Sequence, residues 1–297
     1  MGVPGFFMWL WKKYQGNNFV FKKSSLGDDD IDLIKRIESI DFLLIDTNCL
    51  LHPMCFEVLA ENQEKLKNLM NSNKNIDIEK LENKMMNRCL EYIEKLIKTV
   101  NPKKGVYIAI DGVAPLAKIK QQRSRRFKSV NDKNVRESLK RKHNKDIDFF
   151  WNNSAITPGT KFMERLNQKI LNNIKNMENI FTDRKLEIIY SSCKTPSEGE
   201  HKLLQFIKNN KNYSYVIYGL DADLIFLSLA SNHKNTFLLR EATHLKQGNN
   251  DEICYVDMEK VKESIVYTIE NIINNLQEEI KPQEPILEKR NGYSIWI

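Results

Sequence analysis

Short apolar runs alternate with longer amphipathic runs along most of the chain, and this alternation restricts the fold more than any other feature. Apolar, β-rich runs typical of strands covered on both faces lie at 42–47, 105–111, 186–192, 214–221 and 236–242. Runs with helical periodicity lie at 77–99, 115–143, 159–178, 198–209, 223–231 and 257–276. Alternating strands and helices predict an α/β fold with a mostly parallel, twisted sheet flanked by helices.

The composition argues against a membrane or secreted protein. No run approaches the roughly 18 apolar residues of a membrane span. The apolar start of the chain has no basic segment before it and no small-residue cleavage site after it. Five cysteines without a C-x-x-C pair indicate reduced packing residues. We therefore predict an intracellular protein with no membrane partner, and the choice between cytoplasm and nucleus stays open.

Aspartates stand at the same relative position in three of the predicted strands. Asp46, Asp111 and Asp221 each close an apolar run, and Asp223 follows two residues after the last of these. The carboxyl ends of parallel strands share one edge of a sheet, where α/β proteins bind ligands. On an extended strand end, Asp221 and Asp223 would point the same way. The alternative for each residue is a turn former or a helix N-cap.

Two glutamates follow the run at 186–192. Ser197 and Glu200 have the spacing of a capping box, and Glu198 would lie in the first helical turn, where negative charge is favourable. The competing interpretation is that Glu198 and Glu200 bind metal with the strand-end aspartates. We expect them to do both, with the helix start fixing the carboxylates near the cations.

Clustered carboxylates need cations, because their mutual repulsion would otherwise raise their pKa values or drive them apart. Oxygen ligands suit Mg²⁺ or Mn²⁺. Two such ions about 4 Å apart can activate a water molecule and stabilise the leaving oxygen of a phosphodiester. The sequence thus predicts two divalent ions and metal-assisted hydrolysis of a nucleic acid.

Positive charge is concentrated in one segment that follows Asp111. Between residues 118 and 145, twelve Lys and Arg stand against two acids, whereas the whole chain has a net charge of +7. In a helix, Lys118, Gln122, Arg125 and Arg126 would share one face suited to a terminal phosphate. The alternative is a solvated face of a long helix.

Several motifs resemble the Xrn family of 5′→3′ exoribonucleases. They are "MGVPGFFMWL", "IDTNCLLHP", "AIDGVAPLAKIKQQRSRRF", "ITPGTKFM", "TPSEGEHK", "YGLDADLIFLSL" and "LLRE", in the order of the family. The resemblance covers most of residues 1–242 and implies a PIN/FEN-like nuclease core. It also implies degradation of single-stranded RNA from a 5′-monophosphate end to nucleoside monophosphates, with capped and triphosphate ends refused.

The resemblance implies a role for each candidate residue. The metal-site carboxylates would be Asp46, Asp111, Glu198, Glu200, Asp221 and Asp223. Lys118, Gln122, Arg125 and Arg126 would form the 5′-phosphate pocket. His52 would stack on the first bases; its spacing alone is equally compatible with a core or surface histidine.

The sequence departs from the family pattern in two places. Leu116 stands where the family often has Arg. The family's last aspartate, in a "GNDF"-type strand motif, has no clear counterpart, and "GNND" at 248–251 is not assigned to it. We therefore expect a nuclease core at 1–245 and a helical extension at 246–297 that is incomplete at its C-terminus. A further C-terminal region or a partner chain would complete the active site.

These departures keep two alternative functions open. One is a catalytically impaired RNA-binding fragment or subunit that lacks the last metal-site aspartate. The other is a flap-type DNA nuclease built on the same core.

Overall fold

A seven-stranded sheet forms the centre of the computed structural model, which describes residues 5–72, 75–143, 149–241, 253–280, 288–290 and 293–295. Its strand order is β1-β7-β6-β5-β2-β3-β4. The strands are β1 (Val20–Phe21), β2 (Phe42–Asp46), β3 (Gly105–Ala109), β4 (Glu187–Ser191), β5 (Tyr215–Tyr218), β6 (Thr236–Glu241) and β7 (Ile253–Asp257). Strands β6, β5, β2, β3 and β4 are parallel, whereas β7 is antiparallel to both of its neighbours. The predicted α/β fold with a mostly parallel sheet is confirmed.

Helices cover both faces of the sheet. They are α1 (Phe6–Tyr14), α2 (Ile31–Glu38), α3 (Asn48–Glu61), α4 (Gln63–Asn71), α5 (Ile78–Val100), α6 (Leu116–Lys142), α7 (Lys161–Glu178), α8 (Gly199–Asn209), α9 (Ala222–Ser231) and α10 (Met258–Ile280). A short antiparallel pair, β8 (Glu288–Arg290) and β9 (Tyr293–Ile295), follows. None of the helices in the described residues has the length and apolar character that a membrane crossing needs.

The two faces of the sheet form two apolar cores, because successive strand side chains point in opposite directions. In β2, Leu43 and Ile45 pack with α2, α3, α5 and α7 on what we call the first face. Phe42 and Leu44 pack with α1, α8, α9 and α10 on the second face. All five residues of β2 are buried, so the strand and its last residue, Asp46, are held firmly from both sides.

The register of β2 brings the ends of three strands together. Asp46 lies opposite Ala109 of β3, and Ile45 lies opposite Tyr218 of β5. Two predicted strands end earlier than expected, so Asp111 and Asp221 follow their strands by two and three residues instead of closing them. The turns after these strands therefore carry the aspartates to one edge.

Helix α6 differs from the other long helices in its exposure. It has 27 residues, and none of them is buried. The sequence analysis did not predict α1 to α4, β1 or β7. The predicted domain boundary at residues 245/246 and the "GNND" segment lie outside the described residues, so both interpretations stay predictions.

Candidate active site at the carboxyl edge of the sheet

The six predicted metal-site carboxylates come from four places along the carboxyl edge of the sheet. Asp46 ends β2, Asp111 follows β3, and two pairs begin α8 and α9: Glu198 with Glu200, and Asp221 with Asp223. The charges of Asp111, Glu200 and Asp221 act on Asp46, and those of Asp223, Glu198 and Asp221 act on Glu200. Asp46 and Glu200 therefore lie close enough to acids from the other segments for those charges to affect their pKa values.

Helices α8 and α9 begin in the same way. Glu198 and Asp221 are their N-cap residues, with φ/ψ of −77°/153° and −72°/145°. Glu200 and Asp223 each occupy the second helical position after a small residue. An N-cap carboxylate ordinarily accepts a hydrogen bond from the first helical turn. Neither N-cap side chain does so here.

This geometry corrects two local predictions. The Ser197–Glu200 capping box does not form, because Glu198 is the N-cap and Ser197 has φ of 98°. Hydrogen bonds with Gly112 and Val113 hold Ser197 in the turn that precedes the helix. Asp221 and Asp223 begin helix α9, so the expected extended strand end is not observed, and the charges of both residues act on Glu200.

Asp111 is held by two neighbouring groups. Its Oδ1 accepts a hydrogen bond of 2.6 Å from the backbone N–H of Gly199, the first residue of α8. Its Oδ2 accepts a hydrogen bond of 2.8 Å from Nδ2 of Asn48. Burial raises the pKa of Asp111, and the hydrogen bond from Gly199 opposes that rise. Asn48 was not among the predicted site residues, although it lies in the quoted "IDTNCLLHP" motif.

Asp46 is the most buried acid of the cluster, with 5% of its surface exposed. Its Oδ2 accepts a hydrogen bond from the Cys49 thiol at 3.2 Å, and the same sulfur accepts one from the backbone N–H of Leu220 at 3.5 Å. Its Oδ1 is buried without a hydrogen-bond partner in the described part of the chain. Burial, followed by the charge of Asp111, raises the pKa of Asp46 to about 7.

Glu200 has a similar environment. Burial raises its pKa to about 7, with further contributions from Asp223 and Glu198 that Lys118 partly offsets. The Cys49 thiol that contacts Asp46 also has a raised pKa, chiefly because it is buried. Asp46 and Glu200 therefore bind protons at a higher pH than ordinary carboxyl groups do.

The donor set fits a divalent cation of the magnesium type. It consists of carboxylate oxygens, includes the buried and unpartnered Oδ1 of Asp46, and leaves the N-cap carboxylates of α8 and α9 free of capping bonds. Ligand atoms of Glu198, Glu200 and His201 lie within 4.8 Å of one another. His201 was not predicted; it follows Glu200 directly in the quoted "EGEHK" segment.

A basic cleft of about 600 Å³ adjoins the acids. Four of the five predicted substrate-binding residues line it, His52 from α3 and Gln122, Arg125 and Arg126 from α6. Asn48 and Asp111 also line it, so the cleft and the acidic cluster adjoin at Asp111. Burial lowers the pKa of His52, which favours the neutral ring.

Lys118 lies apart from the other predicted phosphate ligands. Its Nζ is 2.9 Å from Oε2 of Glu198, and it is not among the residues that line the cleft. The carboxylate of Glu198, by its hydrogen bond and charge, raises the pKa of Lys118. Lys118 therefore links the start of α6 to the start of α8.

A mostly parallel sheet flanked by helices on both faces is consistent with a PIN-like nuclease core. The family model described as "XRN 5'-3' exonuclease N-terminus" matches residues 1–242. The chain therefore belongs to the Xrn family, as its motifs indicated.

Curated relatives agree with this assignment. The chain is 34% identical to 5'-3' exoribonuclease 1 of Schizosaccharomyces pombe over 250 residues, which is 81% of this chain and 17% of that protein. It is 30% identical to the Homo sapiens 5'-3' exoribonuclease 1 over 308 residues, or 93% and 16% of the two chains. It is 32% identical to 5'-3' exoribonuclease 2 of Kluyveromyces lactis over 271 residues, or 81% and 26%. The chain thus spans about a quarter or less of the length of these relatives.

Proposed function

We propose that the chain is a divalent-metal-dependent 5′→3′ exoribonuclease that hydrolyses 5′-monophosphorylated RNA to nucleoside monophosphates. One observation carries the proposal: Asp111 belongs to the acidic cluster and also lines the basic cleft. A phosphate bound in the cleft would therefore place the first phosphodiester bond of an RNA chain beside the carboxylates.

The cleft has the chemistry to recognise a 5′-phosphate. Arg125 and Arg126 offer planar guanidinium groups that bind phosphate oxygens in pairs, and Gln122 adds an amide donor. His52, neutral and on the opposite helix, offers a flat ring on which the first base can stack. End recognition of this kind favours an exonuclease over a flap-type DNA nuclease.

The carboxylates would hold Mg²⁺ or Mn²⁺ in this proposal. Asp46, Asp111, Glu200 and Asp221 are the principal ligand candidates, with Glu198 and Asp223 beside them. When bound, such ions supply an activated water molecule and neutralise the charge of the leaving oxygen. The protein's own contribution is to keep Asp111 and Asp46 in fixed positions through Gly199, Asn48 and Cys49.

A nuclease assay with matched RNA ends tests the proposal. Two RNAs of one sequence, with 5′-phosphate or 5′-hydroxyl ends, are incubated with the protein and Mg²⁺, and mononucleotide release is measured. Hydrogen bonds to charged groups contribute about 1.5–3 kcal/mol, so we expect a preference of about 10- to 100-fold for the phosphorylated end. Equal degradation of both RNAs would contradict the proposal.

Two arginines of α6 provide a test variant and its matched control. Arg125→Gln removes a guanidinium from the cleft and should abolish the preference for the phosphorylated end. Arg123→Gln removes the same group from a position on α6 outside the cleft lining and should leave the preference intact. A branched DNA substrate in the same assay separates the flap-type alternative, which predicts cleavage at the branch.

A second candidate is an RNA-binding protein or subunit without turnover. The ion pair between Lys118 and Glu198 favours it, because a lysine already neutralises one of the predicted metal ligands. This candidate predicts RNA retention without mononucleotide release in Mn²⁺. Activity that appears only after addition of a further C-terminal region or a partner chain would support the predicted completion of the active site.

A further inference from the structure

Three aromatic rings, two exposed and the middle one (Phe6) partly buried, form a row on the second face of the sheet. Phe226 of α9, Phe6 and Trp9 of α1 follow one another, with ring centroids 4.6 Å apart for Phe226 and Phe6 and 5.7 Å apart for Phe6 and Trp9. Trp9 is 53% exposed and Phe226 is 43% exposed. We call Phe226, Phe6 and Trp9 the aromatic row. Large apolar groups usually lie inside, so a contiguous exposed set needs an explanation.

The row begins beside the acidic cluster. Phe226 lies three residues after Asp223 on α9, so the two side chains occupy the same face of the helix, about one turn apart. The next ring on α1, Phe7, is buried and stacks against the Arg240 guanidinium at 3.7 Å, and Arg240 is the second-last residue of β6. The start of α1 is therefore anchored at the carboxyl edge of the sheet.

The row ends at positive charge. Lys13, one turn after Trp9 on α1, places its Nζ 5.1 Å from the centroid of the Trp9 ring. Lys12 and Lys13 are both exposed, and α1 contains no acidic residue. Flat rings with adjacent cations are the combination that binds single-stranded nucleic acids, because bases stack on the rings while the cations meet the phosphates.

The basic cleft and the aromatic row lie on opposite sides of the acids. The cleft is formed by α3 of the first face and by α6, whereas the row is formed by α1 and α9 of the second face. An RNA chain whose 5′-phosphate occupies the cleft would cross the acids and then reach the row. This path for the RNA rests on the proposed function.

We propose that the aromatic row binds bases of single-stranded RNA on the 3′ side of the scissile bond, beyond the second nucleotide. Its ligand class is unpaired nucleobases, without a strong sequence preference, because every base has a stacking face. A protein surface is the competing occupant. The position of the row between Asp223 and Lys13 favours RNA, since the acids mark the reaction site and the lysine matches the phosphate charge.

Binding of RNAs of different length tests the proposal without turnover. The protein is titrated in EDTA with fluorescent 5′-phosphorylated RNAs of about two and about ten nucleotides. Base–aromatic stacking predicts that Trp9→Ala or Phe226→Ala weakens binding of the longer RNA by about 5- to 100-fold and leaves the dinucleotide unchanged. Trp9→Phe retains a ring and should retain most of the affinity. Tyr267→Ala, an aromatic 65% exposed on α10, is the matched control and should bind as the parent protein does.

The outcomes separate this proposal from the proposed function. Equal affinity of the parent, Trp9→Ala and Phe226→Ala proteins for the longer RNA would overturn it, even if the parent protein is an active exonuclease. If the two variants keep their RNA affinity but differ from the parent protein in self-association by sedimentation, the row makes protein contacts. That result would also overturn the proposal of RNA binding. If these variants lose affinity for the longer RNA only, and the parent protein has no nuclease activity, the result supports RNA binding by the row. It then contradicts the proposed function alone. Unfolding temperatures of the variants check that they are folded.

Discussion

Asp46 shows at the scale of one residue how stability is exchanged for function. It is buried at the end of a strand, one of its oxygens has no hydrogen-bond partner in the described residues, and neighbouring acids oppose its ionisation. An uncompensated buried carboxylate destabilises a fold unless a cation or proton neutralises it. Such a residue is expected where a protein binds metal.

Asp46→Asn should therefore have opposite effects on activity and stability. Mutation of a residue that only orients a metal ligand typically reduces metal affinity or activity about 10- to 100-fold. Asp46→Asn changes a proposed ligand itself, so we expect RNA hydrolysis to fall by at least about 100-fold. The neutral amide also removes the repulsion with Asp111, so the unfolding temperature in EDTA should rise. Mononucleotide release and differential scanning calorimetry check the two effects. An active variant, or one that is less stable in EDTA, would contradict this account of Asp46.

Cys49 is a positioning residue for Asp46. Its thiol donates a hydrogen bond to Asp46 and accepts one from Leu220, the residue before Asp221, so it connects two carboxylate-bearing strand ends. A hydrogen bond contributes about 0.5–1.5 kcal/mol, so Cys49→Ala should weaken Mg²⁺ activation by about 3- to 10-fold. Cys49→Ser keeps a donor and should restore most of it.

The readout for Cys49 is the Mg²⁺ concentration that gives half-maximal RNA hydrolysis, measured together with KM for RNA. A positioning role changes the Mg²⁺ requirement and leaves KM unchanged. If the Ala and Ser variants both behave as the parent protein does, the thiol has no such role.

At the scale of elements, two helices with the same start supply four of the six carboxylates of the acidic cluster. Helices α8 and α9 both present an N-cap carboxylate, a small residue and a second carboxylate to the edge of the sheet. The small residue of α8 is required by space, because a Cβ atom on Gly199 would lie 2.7 Å from Oδ1 of Asp46 and 3.3 Å from Oδ1 of Asp111.

Gly199→Ala should therefore displace the start of α8 from the acids. Alanine ordinarily stabilises a helix relative to glycine by about 1 kcal/mol, but the contact with the fixed carboxylate of Asp46 outweighs that gain, since overpacking costs about 1–3 kcal/mol. We expect lower Mg²⁺ affinity by calorimetry and a lower unfolding temperature. Gly16→Ala is the control, because a Cβ there meets nothing within 4 Å. Equal behaviour of the two variants would refute the steric argument.

The same scale shows what the sequence could predict. The parallel strands were predicted to within a few residues, because each is a continuous apolar run. Helix α3 was not predicted, since it begins two residues after β2 and contains Pro53, which usually argues against a helix interior. Strand β7 has five residues, and so short an apolar run does not distinguish a strand from a buried helix segment.

Some residues of the candidate site could be predicted from the sequence and others could not. The acids were proposed because they follow apolar runs, and Gln122, Arg125 and Arg126 because helical spacing puts them on one face. The role of His52 came from the resemblance to the Xrn family. Asn48 and Cys49 were missed because their role depends on contacts with Asp111, 63 positions away, and with Leu220, 171 positions away. The Ser197 cap was predicted wrongly because the turn that holds Ser197 depends on hydrogen bonds with the segment after β3.

At the scale of the whole molecule, the acidic edge links stability to pH. The pKa values of Asp46 and Glu200 rise to about 7 in the folded state. Between the pKa of an ordinary carboxyl group and pH 7, the folded protein therefore binds more protons than the unfolded chain does. The free energy of unfolding contributed by these groups therefore falls as the pH rises through this window and levels off above it.

We predict that the unfolding temperature in EDTA falls between about pH 5 and about pH 8, by about 2–4 °C for each kcal/mol lost. Mg²⁺ replaces the protons, so the stabilisation it confers should be larger at the higher pH. Scanning fluorimetry with and without Mg²⁺ measures both effects, and Asp46→Asn should reduce them. A Mg²⁺ effect that is the same at both pH values would argue against binding at these acids.

We propose that carboxylates from four segments of the chain bind shared divalent cations, and diffraction at the manganese edge would locate those cations. Crystals grown with Mn²⁺ should show anomalous density with oxygens of Asp46, Asp111, Glu200 or Asp221 within about 2.3 Å. The same density should be absent from crystals of Asp46→Asn. Density confined to other parts of the surface, or none at the carboxyl edge of the sheet at saturating Mn²⁺, would contradict the account.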